Sequence, residues 1–143
     1  MKLSAVLPAL LVIVFVFVFA NAGYACVCGV DETTPVKMQV NTAKAGAHSV
    51  FAGEVLKITE SKDRNTLFVT IRVEALWKGT KTGQKVITIT PSETCSYTFY
   101  VGEKYLVYAY KYEGAERAGL CSRTKLLAGA AEDISYLGKK LKK

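Results

Sequence analysis

Four cysteines constrain this chain more than any other feature: Cys26, Cys28, Cys95 and Cys121. The first two stand one residue apart, directly after a long apolar run. That run, from Ala5 through Val12-Ile13-Val14-Phe15-Val16-Phe17-Val18-Phe19 to Ala20, follows Lys2 and carries no charge. The small residues Ala20, Ala22, Gly23 and Ala25 come next. A basic head, an apolar middle and a small-residue exit make the three-part build of a secretory signal peptide. The competing reading, an uncleaved membrane anchor, falls near the lower edge of the roughly 17–25 residues that a spanning helix needs. Two cleavage sites fit. A cut after Ala22 leaves Gly23-Tyr24-Ala25 ahead of the cysteines, and a cut after Ala25 makes Cys26 the first residue. A lipid-modified Cys26 is the weakest option, because Gly23 and Tyr24 suit a lipoprotein signal poorly.

An exported chain with an even number of cysteines is expected to form disulfides, here two, with three possible pairings. A Cys26–Cys28 bond is the least favourable. In extended chain their backbones are about 6.6 Å apart, and the ring would be strained. Both remaining pairings tie the Cys-x-Cys segment to two distant places. Joining Cys26 to Cys95 and Cys28 to Cys121, for instance, closes loops of 69 (95 − 26) and 93 (121 − 28) residues. Either pairing pins residues that would otherwise fray.

A signal of 1–25 leaves 118 residues (143 − 25), the size of one domain with its own core. No repeat or linker divides residues 26–143. Only Lys2 leaves with the signal, so 18 basic (19 − 1) and 12 acidic side chains remain and the net charge is +6. Four of the lysines lie in Gly138-Lys139-Lys140-Leu141-Lys142-Lys143. A basic tail is ordinarily a solvated end. Its functional reading is weak attraction to anionic glycans or lipid head groups.

Periodicity supplies the elements. Thr33-Thr34-Pro35 has the hydroxyl cap and early proline of a helix start, and Val36, Met38, Val40, Ala43 and Ala47 give an imperfect apolar stripe, predicting a helix over about 34–46. Val50 to Ile58 is rich in β-formers, with Gly53 marking a bulge or bend. Asp63-Arg64-Asn65 makes a turn. Leu67, Val69, Ile71, Val73, Ala75 and Trp77 then alternate with polar neighbours, the strongest strand signal in the chain. Val86–Thr90 and Lys104–Tyr112 are further strands, and Leu120-Cys121-Ser122 is read as a short last one. Ala128 to Leu141 is roughly helical, with Glu132 and Asp133 early and lysines late, as a helix dipole favours. Five short strands joined by tight turns predict antiparallel pairing. The fold class is therefore mainly β with flanking helices, a five-stranded closed barrel of the oligonucleotide-binding type. A sandwich of two small sheets is the alternative.

Several segments together resemble a known family. They are Cys26-Val27-Cys28, the helix after it, Val50-Phe51-Ala52-Gly53-Glu54-Val55, Trp77-Lys78-Gly79, Glu93-Thr94-Cys95-Ser96-Tyr97, Gly102-Glu103-Lys104-Tyr105-Leu106-Val107 and Leu120-Cys121-Ser122. In this order they resemble the N-terminal, netrin-like domain of the tissue inhibitors of metalloproteinases, over nearly the whole of 26–143. The resemblance implies the pairing Cys26–Cys95 with Cys28–Cys121. It also implies that the α-amine and carbonyl of a mature N-terminal Cys26 chelate the zinc of a target protease. Val27 would enter the pocket beside that zinc, and Cys28, Glu93 and Thr94 would complete the contact. The chain departs from the family in lacking a third disulfide and a second domain. It also has Val27 where a small hydroxyl residue is usual, and Gly29 and Val30 where the binding ridge usually continues with other residues.

Other chemistry is thinly represented. His48 is the only histidine, which excludes a His-based triad and a multi-histidine metal site. No dinucleotide or phosphate-loop motif occurs. Tyr105, Tyr108, Tyr110 and Tyr112 would suit a base-stacking platform, but an exported protein rarely meets nucleic acid, and half-buried strand residues account for them. The expectation is a secreted, extracellular protein that is not an enzyme, takes no cofactor, binds no nucleic acid and leaves the membrane once its signal is cut. It is either a zinc-metalloprotease inhibitor or a netrin-like extracellular module binding matrix or anionic glycans.

Overall fold

The computed structural model describes residues 26, 28–29, 33–79, 83–90 and 95–141. The signal-peptide expectation for 1–25 lies outside them. Among the described residues no helix is long and apolar enough to cross a membrane.

The elements are a helix α1 (Val36–Gly46), strands β1 (Ser49–Glu60), β2 (Leu67–Lys78), β3 (Gln84–Ile89), β4 (Lys104–Tyr112), β5 (Ala115–Arg117) and β6 (Lys125–Leu126), and a short helix α2 (Ala131–Leu137). Pairing runs β1-β2-β3-β5-β4, and β4 returns to β1, so the sheet closes into a five-stranded barrel. Closure gives the long strands a partner on both sides over part of their length, β1 pairing with β4 over Ser49–Glu54 and β2 with β3 over Leu67–Arg72, which shortens the open edges. The two-residue β6 adds to β4 outside the ring, Tyr105 opposite Leu126.

Four expectations need correction. The last helix covers only Ala131–Leu137, so Lys139 and Lys140 follow it and do not sit in its last turn. Leu120–Ser122 is a single 3-10 turn, not a strand, and the fifth strand is the preceding Ala115–Arg117. Not all pairing is antiparallel either, because β5 lies parallel to β3, Ile87 beside Glu116. Nor does a hydroxyl cap α1: Pro35 itself takes the cap position, without a side-chain cap bond, and its carbonyl accepts from Met38 and Gln39 N at 2.9 and 3.1 Å.

Two cores lie on either side of β1 and β4. One fills the barrel with Phe51, Val55, Val69, Ile71, Ile87 and Tyr105, among others. The other sits between the barrel wall and both helices, with Val40, Val50, Trp77, Leu106, Tyr108 and Leu137. Hence Tyr105 to Ala109 are all buried, odd positions facing inward and even ones facing the helices, while Tyr110 and Tyr112 emerge into solvent. The four tyrosines therefore share no common platform.

The alternation of β2 is also split. Gly53 pairs with Val73 while Ala52 pairs with Ala75, so Glu74 is an extra residue in β2. Such a bulge reverses which face each later side chain takes. Val69, Ile71 and Val73 pack toward the barrel, but Ala75 and Trp77 pack under the helices. Gly53 stands at this corner because nothing larger fits. A Cβ there would come within 2.2 Å of the Arg72 carbonyl oxygen and 2.8 Å of Ile71 Cγ2. Backbone cannot yield as a side-chain tip does. Gly53→Ala is expected to destabilise the domain by about 1–3 kcal/mol, read from chemical denaturation. An unchanged midpoint would show that the corner opens freely.

Candidate functional site

The Cys-x-Cys segment is fastened by two disulfides, Cys26–Cys95 and Cys28–Cys121, with Cα–Cα separations of 5.6 and 5.1 Å. The partners are 26 residues apart in sequence (121 − 95) but adjacent in space. Leu120 N donates to Cys95 O at 2.9 Å, Tyr97 N donates to Ala118 O at 3.3 Å, and Ser96 bridges Gly119. Ser96 Oγ also donates to Thr90 O at 2.7 Å, tying this strip to the end of β3. Both anchors of the Cys-x-Cys segment thus belong to one hydrogen-bonded patch. Of the sequence-predicted site residues, the structure brings together Cys26 and Cys28; Val27, Glu93 and Thr94 lie outside the described residues.

Two shallow clefts adjoin this patch. One, of about 300 Å³, is lined by Cys95, Tyr110, Gly119, Cys121 and Ser122. The other, of about 200 Å³, shares Tyr110, Cys121 and Ser122 and continues to Ala43, Gly46 and Ala47 at the end of α1. Leu120 and Tyr110 stand exposed beside the disulfides. In the sequence Tyr110 stood only among the strand tyrosines and Leu120 only in the segment around Cys121, neither as a site residue. The place of Leu120 next to a cysteine was the available signal for it, whereas Tyr110 belongs here only through the fold.

The turn carrying Cys121 is held from below by a buried polar network. Ser122 Oγ donates to Gly119 O at 2.7 Å and lies 2.8 Å from Thr124 Oγ1, which accepts from Tyr108 N at 3.1 Å. Arg123, in the left-handed region at φ 62°, points its guanidinium at Asp133. Nε reaches Oδ2 at 3.0 Å and Nη2 reaches Oδ1 at 2.8 Å. Lys125 Nζ donates to Asp133 Oδ1 at 2.9 Å and Tyr108 Oη donates to Oδ2 at 3.1 Å. Nη1 of Arg123 donates to Gln39 Oε1, and Gln39 Nε2 donates to Thr34 O at 2.7 Å. Asp133 is 2% exposed. Burial alone would raise its pKa, but the hydrogen bonds and charges of Arg123 and Lys125 outweigh it and hold the carboxyl below its ordinary value. Burial, and then the Asp133 charge, push the Tyr108 hydroxyl up, so it stays a donor. No family model matches the chain, and no curated protein matches it. The site therefore has to be read from its own chemistry.

That chemistry is one of positioning. Among the described residues no group of three metal-ligating side chains comes together. The Ser122 hydroxyl is engaged by Thr124 and Gly119 rather than by a base, and His48 stands elsewhere, half-exposed, with Nε2 3.7 Å from Glu116 Oε1. The arrangement holds a short stretch of backbone at two points and sets it beside an open cleft.

Proposed function

We propose that this is a secreted inhibitor of zinc metalloproteases, acting through the backbone of a mature N-terminal Cys26. The observation that carries the reading is the double fastening of Cys26 and Cys28 to segments that are themselves hydrogen-bonded together. A group held in this way loses little freedom on binding. The catalytic zinc of a protease keeps one position open. An α-amine has a pKa of about 7.7–8.0, far below that of lysine, so its lone pair is available near neutral pH. With the carbonyl oxygen of the same residue it closes a five-membered chelate on the metal. On this reading Val27 enters the pocket beside the zinc, and Glu93 and Thr94, tethered by Cys95, flank it. Leu120 and Tyr110 would widen the contact. The likeness to the netrin-like inhibitory domains drawn from the sequence supports the same assignment.

The test is a comparison of two secreted forms, one beginning at Cys26 and one carrying a single added alanine before it, against a zinc endopeptidase cleaving a fluorogenic peptide. The extended form is expected to lose inhibition by roughly 100-fold or more, since the α-amine is displaced and its chelate on the metal goes with it. Equal inhibition by the two forms, or a natural N-terminus at Gly23, overturns the proposal.

A further inference from the structure

We propose that Lys44, Lys78, Lys139 and Lys140 form one surface that binds a sulfated polysaccharide chain. The four come from three parts of the sequence and meet where both helices end. Lys78, the last residue of β2, sets Nζ 2.9 Å from Lys44 O and 2.7 Å from Ala45 O, on the C-terminal carbonyls of α1. Lys44 sets Nζ 2.8 Å from Leu137 O, at the end of α2. Gly138, at φ 75°, turns the chain there, and Leu141 N bonds Leu76 O at 2.7 Å. The returning segment therefore lies along the end of β2. Lys140 Nζ sits 5.7 Å from the centre of the Trp77 ring, next to Lys78.

Helix ends attract cations, which accounts for Lys44 and Lys78 but not for Lys139 and Lys140, both exposed. Nor are the charges cancelled locally. Among the described residues, Lys85, Lys104 and Lys125 each pair with a carboxylate, whereas none pairs with these four. An ammonium has three N–H donors. Lys44 and Lys78 use one and two on carbonyls, which leaves two and one for a further acceptor. Ammoniums gathered at one end of the fold, two of them held on helix-end carbonyls and none paired with a carboxylate among the described residues, attract a polyanion with regularly spaced charges, releasing its counterions. The disulfides indicate an oxidising compartment. Nucleic acid is scarce there, and the strongly anionic membrane leaflet is the cytoplasmic one. Sulfate esters on extracellular polysaccharide are the remaining abundant polyanion. None of the four lysines lines the clefts beside the disulfides, so the surface and the proposed inhibitory end are separate and either can fail without the other.

The experiment is elution of the secreted protein from immobilised heparin in a sodium chloride gradient. Lys139→Gln/Lys140→Gln leaves the hydrogen bonds to the helix ends untouched, and adding Lys44→Gln/Lys78→Gln removes the whole surface. A control, Lys37→Gln/Lys57→Gln/Lys62→Gln/Lys111→Gln, takes the same charge from exposed, scattered positions. The wild type is expected to be retained at about 0.15 M salt, where charges further apart than about 8 Å are screened. The double variant should elute earlier, with heparin affinity weakened roughly tenfold. The quadruple variant should flow through, while the control elutes close to the wild type. Equal shifts in the patch and control variants would reduce the effect to net charge and overturn the proposal. So would binding to phosphatidylserine vesicles in place of heparin, or no retention of the wild type. Retention of the alanine-extended protein should be unchanged, which separates this outcome from that of the inhibition assay.

Discussion

Replacing Cys28 and Cys121 together by serine is expected to lower the thermal midpoint by on the order of 15–20 °C. The bond closes 93 residues of chain, and in the chain-entropy picture removing such a constraint frees the unfolded state by about 4–5 kcal/mol. A domain of this size holds only about 5–15 kcal/mol in total. Scanning calorimetry without reductant reads the shift, and a change of only a few degrees would mean that the loop constraint contributes little. The companion variant Cys26→Ser/Cys95→Ser opens a loop of 69 residues, and since the cost grows only with the logarithm of loop length, its stability loss should be nearly the same. The two should part company in protease inhibition. Loss of Cys26–Cys95 untethers the residue whose amine and carbonyl act in the proposal, whereas loss of Cys28–Cys121 leaves that tether in place. Similar stability with unequal inhibition would separate the staple's role in binding from its role in folding.

The pattern of apolar residues made the long elements legible because each follows one period. Val50–Ile58 and Lys104–Tyr112 lie within strands β1 and β4, and the stripe from Val36 marks α1. What escaped had its cause outside the segment concerned. Ala115–Arg117 is three residues long and half polar because Glu116 turns inward to pair with buried Lys85, at 2.9 and 3.1 Å. Neither residue predicts this alone. Short connections do force consecutive strands to run antiparallel, but β5 meets β3 across the closure of the barrel, where no connection constrains direction. The even alternation from Leu67 to Trp77 concealed a bulge at Glu74, since both of the surfaces it serves are apolar. At the candidate site the cysteines were plain in the sequence, whereas the contact between the Cys95 and Cys121 strips depends on long-range backbone pairing. Asp133 looked like an ordinary acid near a helix start, because its burial is intelligible only with Arg123 and Lys125 in place.

That carboxylate should be the most sensitive polar position in the fold. Asp133 receives Arg123 through two hydrogen bonds, Lys125 through one and the Tyr108 hydroxyl through another. Removing one member of a buried charged group leaves the others unpaired, which costs about 3–5 kcal/mol, so Asp133→Ala is expected to destabilise by that amount at neutral pH. Tyr108→Phe, which deletes a single neutral donor, should cost only about 1 kcal/mol. The acid limb tests the cause. A carboxyl held below its ordinary pKa contributes its full stability above the unfolded value of about 3.9, and loses it as the pH falls through the lower folded value. The gap between wild type and Asp133→Ala in urea should therefore be widest near neutrality and narrow in strongly acidic buffer. A gap that stayed constant with pH would assign the loss to packing instead of charge. The network also joins the Cys121 turn to Thr34 through Arg123 and Gln39, and so holds both ends of the segment that leads from Cys28 into α1. Asp133→Ala should consequently loosen Thr34 and the start of α1 before the barrel itself unfolds, an order of events readable by limited digestion and mass spectrometry.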